Sequence, residues 1–154
     1  MNKMLLTSVL SGIMCLIMVI YTSVSFYSRE HFKCTAVTEV NYKDNKLIII
    51  SHYSFDGDIG SLVVEGELEK NDGTVFPFII KNIFNYTRIS NNFYLTSNNI
   101  VTQPTDLEKT GVVNEYLSQF FYKEGKKIVF EFSPQQPDSY TVYLGSFPVG
   151  FCKK

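Results

Sequence analysis

The sequence predicts an α+β, mainly β protein: an N-terminal transmembrane helix, then an antiparallel curved sheet or partly closed β-barrel with one late amphipathic helix. Three observations lead there. Residues 4–27 carry no charged side chain, and a bilayer core needs roughly 20 apolar residues as a helix. Beyond Arg29, short segments alternate apolar and polar residues between Gly, Asn and Asp clusters, the period-2 pattern of half-buried strands. One stretch after Thr105 switches to the 3.6-residue period of a helix surface.

Three readings of 4–27 compete. A cleaved secretory signal has a shorter apolar region, about 7–15 residues, ending in a small-x-small site. Ser23-Val24-Ser25 is the candidate, crowded by Tyr21, Phe26 and Tyr27. A bacterial lipoprotein needs small residues before its cysteine, whereas Cys15 follows Ile13-Met14. The uncleaved anchor is favoured. It makes 1–3 a short cytoplasmic end, 4–27 a span through the lipid bilayer and 28–154 one extramembrane domain.

Flanking positive charge is nearly even, with Lys3 on one side and Arg29 and Lys33 on the other, so orientation rests on cysteine usage. Cys34 follows the span and Cys152 lies near the C-terminus, with no cysteine between. Two lone cysteines bracketing a domain suggest a Cys34–Cys152 disulfide in an oxidising compartment. The alternative is two unrelated reduced thiols. The disulfide places 28–154 outside the cytoplasm, in the periplasm for a Gram-negative source. Cys15, mid-span, packs as a small apolar residue.

The domain itself follows in order. Residues 35–42 read as a first strand, closed by the turn-prone Lys43-Asp44-Asn45, and 46–55 as a central strand around Leu47-Ile48-Ile49-Ile50. After Asp56-Gly57-Asp58, 60–70 alternates Leu62, Val64 and Leu68 against Glu65, Glu67 and Glu69. Asn71-Asp72-Gly73-Thr74 predicts a tight type I′ hairpin. The partner strand, 74–88, keeps Phe76, Phe78, Ile80, Phe84 and Tyr86 on one parity, interrupted by Asn82. Pro77 cannot donate to a ladder, which predicts an exposed edge or bulge near that strand's start.

Asn91-Asn92 turns the chain into 93–100. Thr105-x-x-Glu108 resembles a capping box, and Val113, Tyr116, Leu117, Phe120 and Phe121 form the helical stripe, with Gly125 placed to end it. Strands 127–132 and 140–147 close the domain, the last leading to Cys152. The count is seven or so strands.

Fourteen basic and fifteen acidic residues leave the chain near neutral, so direct nucleic-acid binding is not expected. His31 and His52 have no metal-ligand spacing. Glu65, Glu67 and Glu69 repeat about every 7 Å along one strand face, which reads as a solubilising face before a cation site. Asp56-Gly57-Asp58 lacks the remaining ligands of a calcium loop. Asn85-Tyr86-Thr87 is a glycosylation sequon, relevant only in a eukaryotic secretory pathway. No phosphate-binding glycine loop or nucleophile elbow is present, so neither an enzyme nor a cofactor is expected. Phe76, Phe78, Phe84, Tyr86, Phe120 and Phe130 are candidates for an apolar pocket; the plainer reading is that they fill the core. An edge strand carrying Pro77, or one ending at Cys152, could instead pair with a partner's sheet.

One family shares this pattern. A short anchor with a cysteine just outside it, Gly73-Thr74-Val75 running into 82–86, Asn92-Phe93-Tyr94-Leu95-Thr96-Ser97, Asp106, the 113–121 stripe, and Ser139-Tyr140 with Cys152 resemble the FidL-like membrane proteins of enterobacteria. The resemblance covers most of 34–152. It implies an inner-membrane protein, similar in design to ToxS-type and TcpH-type partners, whose periplasmic domain binds a ToxR-like membrane-bound transcription regulator and protects it from proteolysis. It further implies, in some systems, an apolar ligand such as a bile salt or fatty molecule. The alternatives are a stand-alone periplasmic lipid- or bile-binding sensor and a structural subunit of an envelope or secretion complex.

Overall fold

The computed structural model describes residues 2–43, 45–110, 112–136 and 138–154, with the side chains of 2–9, 25–30, 110, 112 and 113 outside that description. The chain forms two compact units, Met1–Phe32 and Lys33–Lys154.

The first unit holds α1, Asn2–Glu30. Its described apolar side chains from Leu10 to Val24 are exposed. Thr22 Oγ1 donates to the Met18 and Val19 carbonyls at 3.0 Å, and Ser23 Oγ to Val19 at 2.8 Å. These bonds satisfy the hydroxyls within the helix. Among the described residues no helix is long and apolar enough to cross a membrane. The side chains of 4–9 and 25–27, both ends of the expected span, lie outside the described residues, and 10–24 alone is shorter than the roughly 20 residues a bilayer needs.

The second unit is a closed antiparallel barrel with strands in chain order. They are β1 (His31–Tyr42), β2 (Asn45–Asp56), β3 (Ile59–Glu69), β4 (Val75–Ile89), β5 (Asn92–Gln103), β6 (Lys127–Gln136), β7 (Ser139–Leu144) and β8 (Phe147–Lys153). Closure corrects the expectation of an open or partly closed sheet: β8 returns to β1 through Thr35↔Lys153, Ala36↔Cys152 and Val37↔Phe151. The expected strand 140–147 ends early: Gly145, at φ +63, turns β7 back at Leu144, and the eighth strand runs from Phe147 to Lys153. Gly-Ser between two apolar runs is a hairpin signal in its own right.

The turns follow local chemistry. Gly57, at φ +66, sits in the β2–β3 turn, so Asp56-Gly57-Asp58 is a tight reversal. In the next hairpin Gly73 alone takes positive φ. Its N–H bonds the Lys70 carbonyl, and Thr74 N–H bonds Asp72 Oδ1 at 2.8 Å. This is a turn closed by one left-handed glycine, in place of the expected type I′. Ladder pairing between β4 and β5 starts at Ile79↔Gln103, which leaves Pro77 before it.

The late helix is the second correction. The 104–124 crossover forms a 3₁₀ turn at Leu107–Thr110, a short α2 at Val112–Tyr116 and a 3₁₀ turn at Gln119–Phe121. Ser118 is extended (φ −61, ψ 148) and separates the last two. In place of a capping box, Glu108 pairs with Lys123 at 2.7 Å. Val113, part of the expected stripe, lies outside the described side chains.

The interior is aromatic. Phe55 lies 4.7 Å from Phe93, 5.0 Å from Tyr86, 5.4 Å from Phe132 and 5.8 Å from Phe84, centroid to centroid. Tilted and edge-to-face ring pairs of this kind add about 0.5–1.5 kcal/mol each beyond burial. Opposite two of the rings β3 carries glycine, in the pairs Gly60↔Phe84 and Gly66↔Phe78. A Cβ at either glycine would run into the facing ring.

Candidate functional site

The aromatic filling stops short of one end of the barrel. There the interior-facing positions turn small or β-branched: Ala36, Thr38 and Val40 on β1, Ser51 on β2, Gly150 on β8. An apolar cavity of about 130 Å³ results. Ile49, Tyr53, Phe130, Val142 and Leu144 complete its walls, and Tyr116, Leu117, Ser118 and Phe121 of the crossover line another side.

Two anchors hold the crossover in place. Asn82, 1% exposed inside the barrel, donates its amide to the Phe120 carbonyl at 2.7 Å. Its Oδ1 accepts from Ser97 Oγ at 3.2 Å. Towards the β1–β2 turn, Asn45 Nδ2 donates to the Tyr116 hydroxyl at 3.0 Å, and the Tyr116 ring stands edge-on to Tyr42.

The electrostatics are quiet. Every residue lining the cavity is uncharged. Burial pushes the Tyr53 phenol up to about 12, against a smaller opposing effect of its hydrogen bond with Ser51. Thr38 Oγ1 donates to the Val149 carbonyl at 2.5 Å. Among the described residues no buried side-chain polar atom lacks a hydrogen-bond partner.

Of the six aromatics expected at a pocket, Phe130 lines this cavity. Phe78, Phe84, Tyr86 and Phe120 are buried in the aromatic interior and Phe76 is half-buried near the start of β4. The lining residues the sequence reading missed are small ones on β1, β2 and β8. Their signal is an interior parity lacking large side chains, visible only once the strands facing each other are known.

The expected disulfide is present. Cys34 and Cys152 are bonded, with Cα atoms 5.4 Å apart and both residues buried. Elsewhere, Glu65, Glu67 and Glu69 point outward from β3. His52 Nδ1 lies 3.0 Å from Thr35 Oγ1, beside an outer trough that Lys33, Lys153 and Lys154 also line. Among the described residues no group of three or more His, Cys, Asp or Glu could hold a metal ion.

No protein-family model matches the chain, and no curated protein matches it.

Proposed function

We propose that the chain is an inner-membrane accessory protein, anchored through 4–27, whose periplasmic barrel binds and stabilises a ToxR-like membrane-bound transcription regulator. The observation that carries this reading is exposed apolar surface on β8 and its neighbour. Phe151 is 73% exposed and its register partner Val37 60%, while Phe147, at the start of β8, is 75% exposed. Phe151 and Val37 face each other across the β1–β8 ladder as an exposed apolar pair, and exposed apolar surface of this kind favours a protein partner. The Cys34–Cys152 bond supports an oxidising compartment, and the charge-free run 4–27 supports attachment to a bilayer. Tethering both partners to one membrane raises their effective concentration, so a modest interface suffices.

The test is co-purification of the full-length chain with a single-span winged-helix regulator encoded beside it, together with that regulator's half-life. Capture should be lost with Phe147→Ser plus Phe151→Ser, and deletion of the chain should shorten the half-life. No capture and an unchanged half-life would sink the proposal.

The apolar cavity favours a second reading, a stand-alone lipid- or bile-responsive sensor. A saturable thermal shift of the full-length chain with an apolar ligand, in the absence of any regulator, supports it; no shift across fatty acids and bile salts removes it.

A further inference from the structure

We infer that the cavity beside the crossover is a binding site for the end of an unbranched hydrocarbon chain. This rests on the ligand-binding reading just given and is independent of any regulator.

Chemistry comes first. Five lining residues carry hydroxyls, and four of these are already engaged. Thr38 donates to the Val149 carbonyl, Ser51 and Tyr53 share a hydrogen bond, and the Tyr116 hydroxyl accepts from Asn45. With no charged residue in the lining, a charged ligand group entering the cavity finds no counter-charge, and most of the hydroxyls a polar one could use are already engaged. An apolar group disturbs none of them. An apolar lining of this size accommodates apolar guests.

Size and shape narrow the guest. A volume of about 130 Å³ is close to that of an engineered cavity, roughly 150 Å³, which holds benzene. It lies below the roughly 300–1,000 Å³ of sites that enclose drug-sized molecules. A four-ring steroid is too large, whereas a slender chain fits end-on with its polar head left outside. The walls are mostly aliphatic, from Ala36, Val40, Ile49, Val142, Leu144 and Val149. Register pairing of β1 with β8 covers 35–37, so Thr38 and Val40 line the cavity beyond the ladder. Phe147, register partner of the lining Leu144, is three-quarters exposed at that end of β8, where it can cover the part of a chain that protrudes.

The test uses the full-length chain, methyl-labelled, in nanodiscs of branched phytanoyl lipid, titrated with 1-alkanols from butanol to dodecanol. Saturable shifts are expected at the methyls of Ile49, Leu117 and Val142. Affinity, referred to free alkanol, should rise about fourfold per added methylene, the equivalent of about 0.8 kcal/mol, and then level off once the cavity is full. Partition into the bilayer rises without levelling. Ala36→Leu fills the cavity and should abolish the shifts. Val40→Phe, at a 38% exposed position, should weaken them even if Ala36→Leu fails to fold. If the same methyl shifts are already present in straight-chain lipid discs without alkanol, the assignment is supported and membrane lipid is the source of the chain.

An unbroken rise with chain length, or equal binding by a folded variant, overturns the assignment. Cholate moving these methyls while alkanols do not also overturns it, but leaves a ligand-binding barrel. Silence from both probes ends both readings.

Discussion

The side-chain amide of Asn82 donates to the backbone carbonyl of Phe120 across 2.7 Å, inside the barrel and 38 residues apart in sequence. A polar residue in an otherwise apolar row of β4 thereby fastens the crossover that lines the cavity. Asn82→Leu keeps the volume and removes both groups, leaving the Phe120 carbonyl without its donor and the Ser97 hydroxyl without its acceptor. A buried group left unsatisfied costs about 1–3 kcal/mol. We predict a loss of that size in denaturant unfolding, with hydrogen exchange accelerated in 104–124 more than in β2 or β3. Uniform acceleration across the barrel would show that Asn82 supports the whole interior and not the crossover.

Among the described residues the β1–β8 seam is a short ladder of three register pairs, Thr35↔Lys153, Ala36↔Cys152 and Val37↔Phe151, and the Cys34–Cys152 bond crosses it. The bond links residues 118 apart. In the chain-entropy account, closing a loop of ~100 residues contributes about 4–5 kcal/mol. Reduction, or Cys34→Ser with Cys152→Ser, is therefore expected to lower stability by several kcal/mol. Exchange in β1 and β8 should rise before that in β3 and β4. Non-reducing peptide mapping should recover the linked pair with Cys15 free. Recovery of both thiols free from protein made in an oxidising compartment would also remove the basis for placing the barrel outside the cytoplasm.

Gly60 and Gly66 face Phe84 and Phe78 directly across the β3–β4 ladder. Each ring occupies the space a Cβ would need. Gly66→Ala is expected to cost about 1–3 kcal/mol through overpacking. Phe78→Leu alone also destabilises, by leaving space. Combined, the two should cost less than the sum of the single losses, since the smaller side chain makes room for the methyl. Strict additivity in that double-mutant cycle would rule out the ring contact as the reason for glycine.

How much of this was legible in the chain depends on the range of the cause. The parity of Phe76 to Tyr86 is a local, period-2 property, and the structure buries that parity from Phe78 onward. The disulfide was legible because only two cysteines lie in the domain. The 3.6-residue stripe from Val113 to Phe121 misled. Tyr116 and Phe120 do serve the cavity and the interior, but Ser118 is extended between them, and Phe120 is held by Asn82 from another strand. Closure was invisible because the decisive hairpin is two residues, Gly145-Ser146, inside what reads as one strand. The cavity was invisible because it is made of missing bulk at Ala36, Thr38, Ser51 and Gly150, and missing bulk has meaning only when those positions face one another.

Tyr53 links the cavity to pH. Its phenol is fully buried and raised from 10.0 to about 12, chiefly by burial. A group whose folded pKa lies above its unfolded value contributes stability that is fully present below the unfolded pKa. That stability is lost as pH rises through the folded one. The window is therefore pH 10 to 12: the unfolded chain releases the phenolic proton first, and unfolding becomes easier by about 3 kcal/mol over those two units. Tyr53→Phe cannot titrate and should flatten this part of the alkaline limb, with a loss of about 1 kcal/mol at pH 8 from the missing hydrogen bond to Ser51. The measurement is urea unfolding of both proteins from pH 8 to 12, read as the difference between them. Taking the difference cancels the lysines and the exposed tyrosines. A difference that stays constant across the window would mean that Tyr53 ionises as freely in the folded chain as in the unfolded one, and that the cavity floor is open to water.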